Sequence, residues 1–315
     1  MNHLVKGITA ALIALGAVAA QAQTYPAKQV LFVSSVQGGA PEAIQRAIFE
    51  KVKENTGATF VYEGRGGGGG APALQALKNA APDGYTLGVT YASAMNLNPL
   101  INKDLGIDPL KDFRLITNLM TLGVVIAARE ELPAKDIREL VAMAKTKPES
   151  VRIGVFGAGN KSWVAMLEER TGTKFLQVPF KSSTESITAT LGGHIDAHFE
   201  TVGTLVGQKG KLKALAYGGL APSPQLPATV PLIRNLYQFD TLSWFGVLAP
   251  QAAPQAVAAW VGRELVRAVK DPKITGMIES AGFTVLGNTP EEFAAMLRAE
   301  VEGNAEIVRK YPDIR

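Results

Sequence analysis

The 315-residue chain has no cysteine. Disulfides, cysteine-ligated zinc and thiol catalysis are therefore excluded. So is the lipid-bearing cysteine that tethers a bacterial lipoprotein just behind its leader. Histidine is nearly as scarce, and beyond the N-terminal segment only His194 and His198 remain. Charged residues make up 19%, the net charge is a modest +4, and no block of like charges occurs. Nucleic-acid binding thus lacks its electrostatic footprint, while the slight basic excess suits an anionic ligand. Catalytic signatures are missing too: there is no G-x-S-x-G elbow, S-x-x-K, H-E-x-x-H or Walker lysine. Carboxylates are plentiful, yet no spacing pairs two of them. These absences point away from an enzyme and imply no resident cofactor or metal.

What is present begins with an export signal. Lys6 supplies a short positive region, Ile8 to Ala20 is apolar or small throughout, and Ala20-Gln21-Ala22 is a small-x-small cleavage site. Residues 1–22 are expected to be a signal peptide, with the mature chain starting near Gln23 and released as a free protein, which fits a Gram-negative periplasm. An uncleaved anchor is the alternative, but the apolar run is short for a membrane span. The mature chain of about 293 residues exceeds what one core usually holds, so two domains are expected. At 47% hydrophobic residues it can fill both.

Short apolar runs alternate with amphipathic stretches along the whole chain. Val30 to Val33 reads as a strand, Ser34 to Pro41 as a loop, and Glu42 to Glu54 as a helix with Ile44, Ala47, Ile48 and Val52 on one face. A strand at Thr59 to Tyr62, a glycine loop at Gly64 to Gly70, a helix at Pro72 to Ala80 and a strand at Tyr85 to Thr90 repeat the pattern. A second series starts with a strand at Leu122 to Ala128. It continues through Val151 to Phe156, the loop Gly157 to Asn160 and a helix at Ser162 to Arg170, and ends in helices at Pro254 to Lys270, Lys273 to Ala281 and Pro290 to Lys310. Such β-loop-α alternation predicts a parallel sheet with helices on both faces. Ligands of such sheets sit where strands end and helices begin, because unpaired N–H groups there attract anions. Ser34 to Gly39, Gly64 to Gly70, Gly157 to Ser162 and Lys181 to Thr184 are the loops of that kind, two in each half.

Three features carry competing readings. Gly64, Gly66 and Gly69 match G-x-G-x-x-G, but the acidic residue a dinucleotide site needs about 20 positions on is missing. A tight turn is the plainer reading. His194, Asp196, His198 and Glu200 alternate, so on a strand they would share one face and could ligate zinc, or simply form a polar face with Ile195, Ala197 and Phe199 in the core. Trp163 lies just inside a helix N-terminus beside a glycine loop, and Tyr91 and Ser93 follow a strand; each can pack or wall a pocket.

The order of motifs resembles the Bug receptors, the extracytoplasmic solute-binding proteins of tripartite tricarboxylate transporters. The resemblance runs from Tyr25-Pro26-Ala27-Lys28 and Leu31 to Gly39 through Ala81-Pro82-Asp83-Gly84-Tyr85, Asp108-Pro109-Leu110, Val178-Pro179-Phe180-Lys181, Leu191-Gly192-Gly193-His194-Ile195-Asp196 and Trp244-Phe245-Gly246 to Thr289-Pro290-Glu291-Glu292-Phe293. It implies an α/β, type II periplasmic binding protein fold with a ligand cleft between two α/β lobes: residues 24–124 plus 248–315, and residues 125–247. It also implies a monomer that takes a small organic acid, held largely by backbone N–H groups, and delivers it to the membrane subunits of such a transporter. The ligand-binding residues expected on this basis are Ser34, Ser35, Val36, Gln37, Gly38, Gly39, Tyr91, Ser93, Gly157, Ala158, Gly159, Asn160, Ser162, Trp163, Lys181, Ser182, Ser183, Thr184 and Glu200. Ser35 and Asn160 are expected to face each other across the cleft. The loops depart from the family where it matters: Ser34-Ser35-Val36-Gln37 replaces Pro-Phe-Pro-Pro, Trp163 stands at a histidine position, and Glu185-Ser186 replaces Pro-Ala. Two rival readings are an exported metal-dependent protein using the histidine row and a ligand sensor for a two-component system.

Overall fold

The computed structural model describes residues 25–314. The expected leader and the expected start near Gln23 lie outside the described residues. Strand β1 (Val30–Ser34) pairs in parallel with β2 (Phe60–Gly64) and β3 (Thr86–Tyr91), joined by helices α1 (Gly39–Thr56) and α2 (Ala71–Lys78). Two short helices follow, α3 (Ala92–Asn96) and α4 (Asn98–Ile101). Then comes β4 (Phe113–Arg129), a 17-residue strand that links the lobes. Its first part pairs antiparallel with β9 (Leu242–Pro250), which in turn pairs antiparallel with β3. Its last part pairs antiparallel with β7 (Ala197–Thr201) and β8 (Leu212–Tyr217). In that second lobe β5 (Arg152–Val155) runs parallel to β6 (Leu176–Pro179) and β7. The architecture is the two-lobed α/β fold.

The sheet is mixed, which corrects the expectation of an all-parallel one. The helix-connected strands are parallel as the alternation predicts. Every pairing of β4 and β9 with its neighbours is antiparallel, because these strands carry the chain out of the first lobe and back. The strand expected from Leu122 begins nine positions earlier, at Phe113. Thr117 and Asn118 break the apolar pattern there, yet both are buried. Thr117 Oγ1 donates to the Asn288 carbonyl at 2.8 Å, and the Asn118 N–H donates to Asn288 Oδ1 at 2.8 Å. A distant loop thus satisfies the Thr117 hydroxyl and the Asn118 backbone N–H, while the two polar side chains hide the strand from sequence reading. Residues 242–247, grouped with the second lobe in the sequence reading, pair with β3 and the first part of β4. An apolar strand carries no mark of where it crosses.

Two helices begin earlier than expected. Helix α6 (Gly157–Thr171) includes the Gly157 to Asn160 segment as its first turn, and α1 starts at Gly39 instead of Glu42. Neither has a side-chain cap from its N-cap residue, so no capping signal marked the start. By contrast α12 (Pro290–Lys310) starts and ends where the sequence predicts. Thr289 and Glu292 form a capping box, Pro290 opens the helix, and Arg309 and Lys310 lie in its last turn. Its inner face buries Phe293 and Leu297 against Trp244, whose ring lies 5.0 Å from that of Phe293. On the opposite face of the first lobe, Phe32, Phe49 and Phe60 pack with α1 and α10 (Gln255–Val269). In the second lobe Ile153, Val164 and Phe199 pack with α5 (Ile137–Thr146) and α6.

The crossing point is tight. The Val124 N–H donates to the Thr241 carbonyl at 2.9 Å, the Gly218 N–H donates to the Val124 carbonyl at 3.0 Å, and Thr241 Oγ1 donates to that carbonyl at 2.9 Å. A methyl on Gly218 would come within 2.6 and 2.7 Å of the Thr241 carbonyl oxygen and amide nitrogen. Backbone cannot give way as a side chain can. Gly218→Ala should therefore destabilise the fold by about 1–3 kcal/mol or more, measured by urea unfolding. Gly203→Ala, where a Cβ meets nothing within 4 Å, should leave the midpoint unchanged or slightly raised. Equal midpoints for the two variants would disprove the tight crossing.

Candidate functional site

Tyr91 ends β3 and Ala92 opens α3; Phe156 follows β5 and Gly157 opens α6. Both strand ends meet a cleft of about 980 Å³ between the lobes. The α6 turn is chemically the more pointed of the two. The Phe156 N–H donates to Asn160 Oδ1 at 3.2 Å. The N–H groups of Gly157, Ala158 and Gly159 are left without acceptors within the helix, as the first turn of any helix leaves them. All three residues line the cleft. A 15-residue helix with an uncapped start presents a partial positive charge to whatever sits there.

The rest of the lining is mixed. Tyr91, Ser93, Ser162 and Trp163 contribute to the cleft, and the Trp163 ring packs 5.4 Å from that of Phe199. Arg170 and Arg234 bring positive charge. Glu300 brings a carboxylate that accepts from Asn96 Nδ2 at 2.8 Å and Trp244 Nε1 at 2.9 Å. Burial pushes its pKa up, against the pull of those two donors, and nearby Asp240 pushes it further. Burial also raises Asp240, against the Arg234 guanidinium 2.9 Å away.

Other expected residues face elsewhere. Ser34, Ser35 and Val36 are buried in the first lobe. Ser34 Oγ accepts from the Val36 N–H at 3.0 Å, and Ser35 Oγ lies 3.3 Å from the Gly70 carbonyl and 3.4 Å from Thr90 Oγ1. Gln37, Gly38 and Gly39 are exposed, and the Gly38 N–H donates to Glu42 at 2.6 Å. The opposition of Ser35 and Asn160 is not formed here: Asn160 lines the cleft and Ser35 does not. The hydroxyl of Ser35 is spent on the glycine loop beneath it. In the second lobe Ser182 caps α7 (Ser183–Leu191), the Lys181 N–H donates to Glu185 at 3.1 Å, and Ser183 Oγ donates to Glu200. Lys181 to Thr184 and Glu200 lie outside the cleft lining. Asn96, Arg234, Asp240, Glu300 and Asn304 line it without having been expected. They come from helix flanks and a hinge segment, where no motif or spacing marks them.

The alternating row of histidines and acids does not converge. His194 is exposed ahead of β7, and Asp196 is held by Arg152 at 2.9 Å and Arg129 at 3.4 Å. His198 is buried with Nδ1 2.7 Å from Thr190 Oγ1. Among the described residues no group of three or more such side chains could hold a metal ion. Strand alternation predicted a shared face, but Asp196 is taken by two arginines, His198 Nδ1 by Thr190 and Glu200 by Ser183.

The family model of the tripartite tricarboxylate transporter family receptor matches residues 44–312. The chain belongs to this family. A solved structure described as a periplasmic transporter is 30% identical over 91% of this chain and 98% of that one, with a TM-score of 0.72. The periplasmic binding protein BugD is 28% identical, with coverages of 91% and 98% and a TM-score of 0.70. MatC from Rhodopseudomonas palustris, solved with bound malate, shares the fold at 23% identity, coverages of 90% and 100% and a TM-score of 0.71.

Burial of His198 gives the receptor an acid-sensitive lobe. Burial holds its pKa down to about 4, against the opposing pull of Glu200. A folded-state pKa below the unfolded value means that the unfolded chain binds the proton first as pH falls. The neutral imidazole's stabilisation is complete above about pH 6.5 and is lost between there and about pH 4, on the order of 3 kcal/mol in total. Chemical unfolding of His198→Gln should show a flatter acid limb over that window than the parent. Parallel profiles would mean that His198 does not set it.

Proposed function

We propose that this receptor captures a small organic acid in the periplasm and hands it to the membrane subunits of a tripartite tricarboxylate transporter, with no catalysis of its own. The observation that carries the reading is the uncapped first turn of α6. Three residues whose backbone N–H groups have no helical acceptor line an interlobe cleft, and no lysine or arginine is needed to make such a turn attractive to a carboxylate. Tyr91 and Ser93 close the site from the other lobe and can take the ligand's remaining polar groups. A ligand that touches both turns favours the closed arrangement, since only contacts that differ between states shift their balance. Trp163 and Met166 on the cleft wall suit the apolar part of an acid. The expected leader supports export, and the family supports the pairing with a transporter. The malate of MatC is that protein's ligand; here the chemistry of the cleft supports only the class.

Differential scanning fluorimetry against C3–C6 mono- and dicarboxylates, aromatic acids and amino acids tests this. A ligand present at a hundred times its Kd stabilises the fold by about 2.7 kcal/mol, which raises Tm by several degrees. One or a few acids should do so, and their non-acid analogues should not. A flat response across the whole panel rules out the receptor reading.

A further inference from the structure

Helix α12 belongs to the first lobe by its N-terminal half, where Phe293 and Leu297 enter the core. Its C-terminal half lies against α6 of the second lobe. Asn304 is buried there and uses both ends of its amide. Its Oδ1 accepts from Ser162 Oγ at 2.9 Å, and its Nδ2 donates to the Asn96 carbonyl at 3.3 Å. Ser162 is in the second turn of α6; Asn96 ends α3. One side chain therefore joins the two helices whose first turns line the cleft from opposite lobes. Around it, Ile307 and Ile314 pack with Leu97 of the first lobe and Ala165 of the second. Lys310 pairs with Glu169 of α6 at 2.5 Å, but both are more than a third exposed, so this pair adds little.

We infer that Asn304 is a positioning residue: it fixes the α6 turn against α3, so that the C-terminal end of α12 acts as a third connection between lobes otherwise joined by the two crossing segments. A buried amide with one partner in each lobe is satisfied only while the lobes stay in this arrangement. Opening the cleft must break the Ser162 bond and separate Ile307 from Ala165, while the Asn96 bond within the first lobe holds the Asn304 amide in place. The inference uses the proposed function only in taking these turns as the ligand's, and it is tested without a ligand.

The cysteine-free sequence makes Glu54→Cys in α1 and Lys145→Cys in α5 unique sites for spin labels, both exposed and in different lobes. Pulsed electron–electron distance measurement on the labelled, ligand-free protein reads the lobe separation. Asn304→Ala should broaden the distribution toward longer distances, with the open-to-closed ratio raised about two- to tenfold, the factor expected for one hydrogen bond lost across the cleft. Ser162→Ala removes the same interlobe bond from the other side and should shift it the same way by a similar factor. Thermal unfolding of each variant confirms a folded chain, and Ser162→Ala, a small change, carries the test should Asn304→Ala unfold. Distributions of the folded variants that superimpose on the parent's overturn the inference. A flat carboxylate panel would overturn the receptor reading while leaving this result intact.

Discussion

Everything about this receptor's shape depends on one strand serving two sheets. β4 hydrogen-bonds with β9 over its first part and with β7 and β8 over its last, so neither lobe has a complete sheet without it. The exchange happens at Val124, whose N–H and carbonyl are bound by Thr241 and Gly218 within a few ångströms. A strand cannot shift its register by one residue without turning its core face outward. The lobes are therefore registered to each other covalently and by hydrogen bonds at this crossing, and the end of α12 meets α6 at a second place, with the cleft between the two.

The chemistry of the cleft follows from that arrangement. Parallel strands that end at the cleft deliver helix starts to it, and helix starts are donor-rich. The α6 turn stays uncapped because Phe156, its N-cap residue, has no side chain able to accept. Two acids share that space, Glu300 bound by Asn96 and Trp244 and Asp240 by Arg234, and burial raises the pKa of both. The second lobe meanwhile keeps several polar groups beneath α7, with His198 held neutral and Ser183 bound to Glu200. These are the residues whose alternation suggested a metal row. They serve the packing of a helix on a sheet.

The class of fold and most elements were legible in the chain. The apolar run Val30 to Val33 gave β1, the stretch Pro290 to Lys310 gave α12, and the order of motifs gave the family. Elements were missed where local signals are silent. β4 begins with buried threonine and asparagine whose partner, Asn288, is 170 positions away. The helices α1 and α6 open on glycine without a cap. In both cases the deciding interaction is long-range or belongs to backbone, and backbone leaves no trace in a side-chain pattern.

The candidate site divides along the same line. The sequence by itself determined that glycine-bearing turns follow strands, that no cysteine or catalytic motif competes with a binding role, and that Tyr91, Ser93 and Gly157 to Trp163 stand at strand ends. Only the tertiary structure decided which of those turns share a cleft. It turned the Ser35 hydroxyl inward to Gly70, gave Glu200 to Ser183, and brought Glu300 and Asn304 from the last helix to the wall of the cleft. The physical reason is that proximity to a cleft is a property of two lobes closing around β4 and β9, whereas sequence periodicity reports only which face of one element is buried.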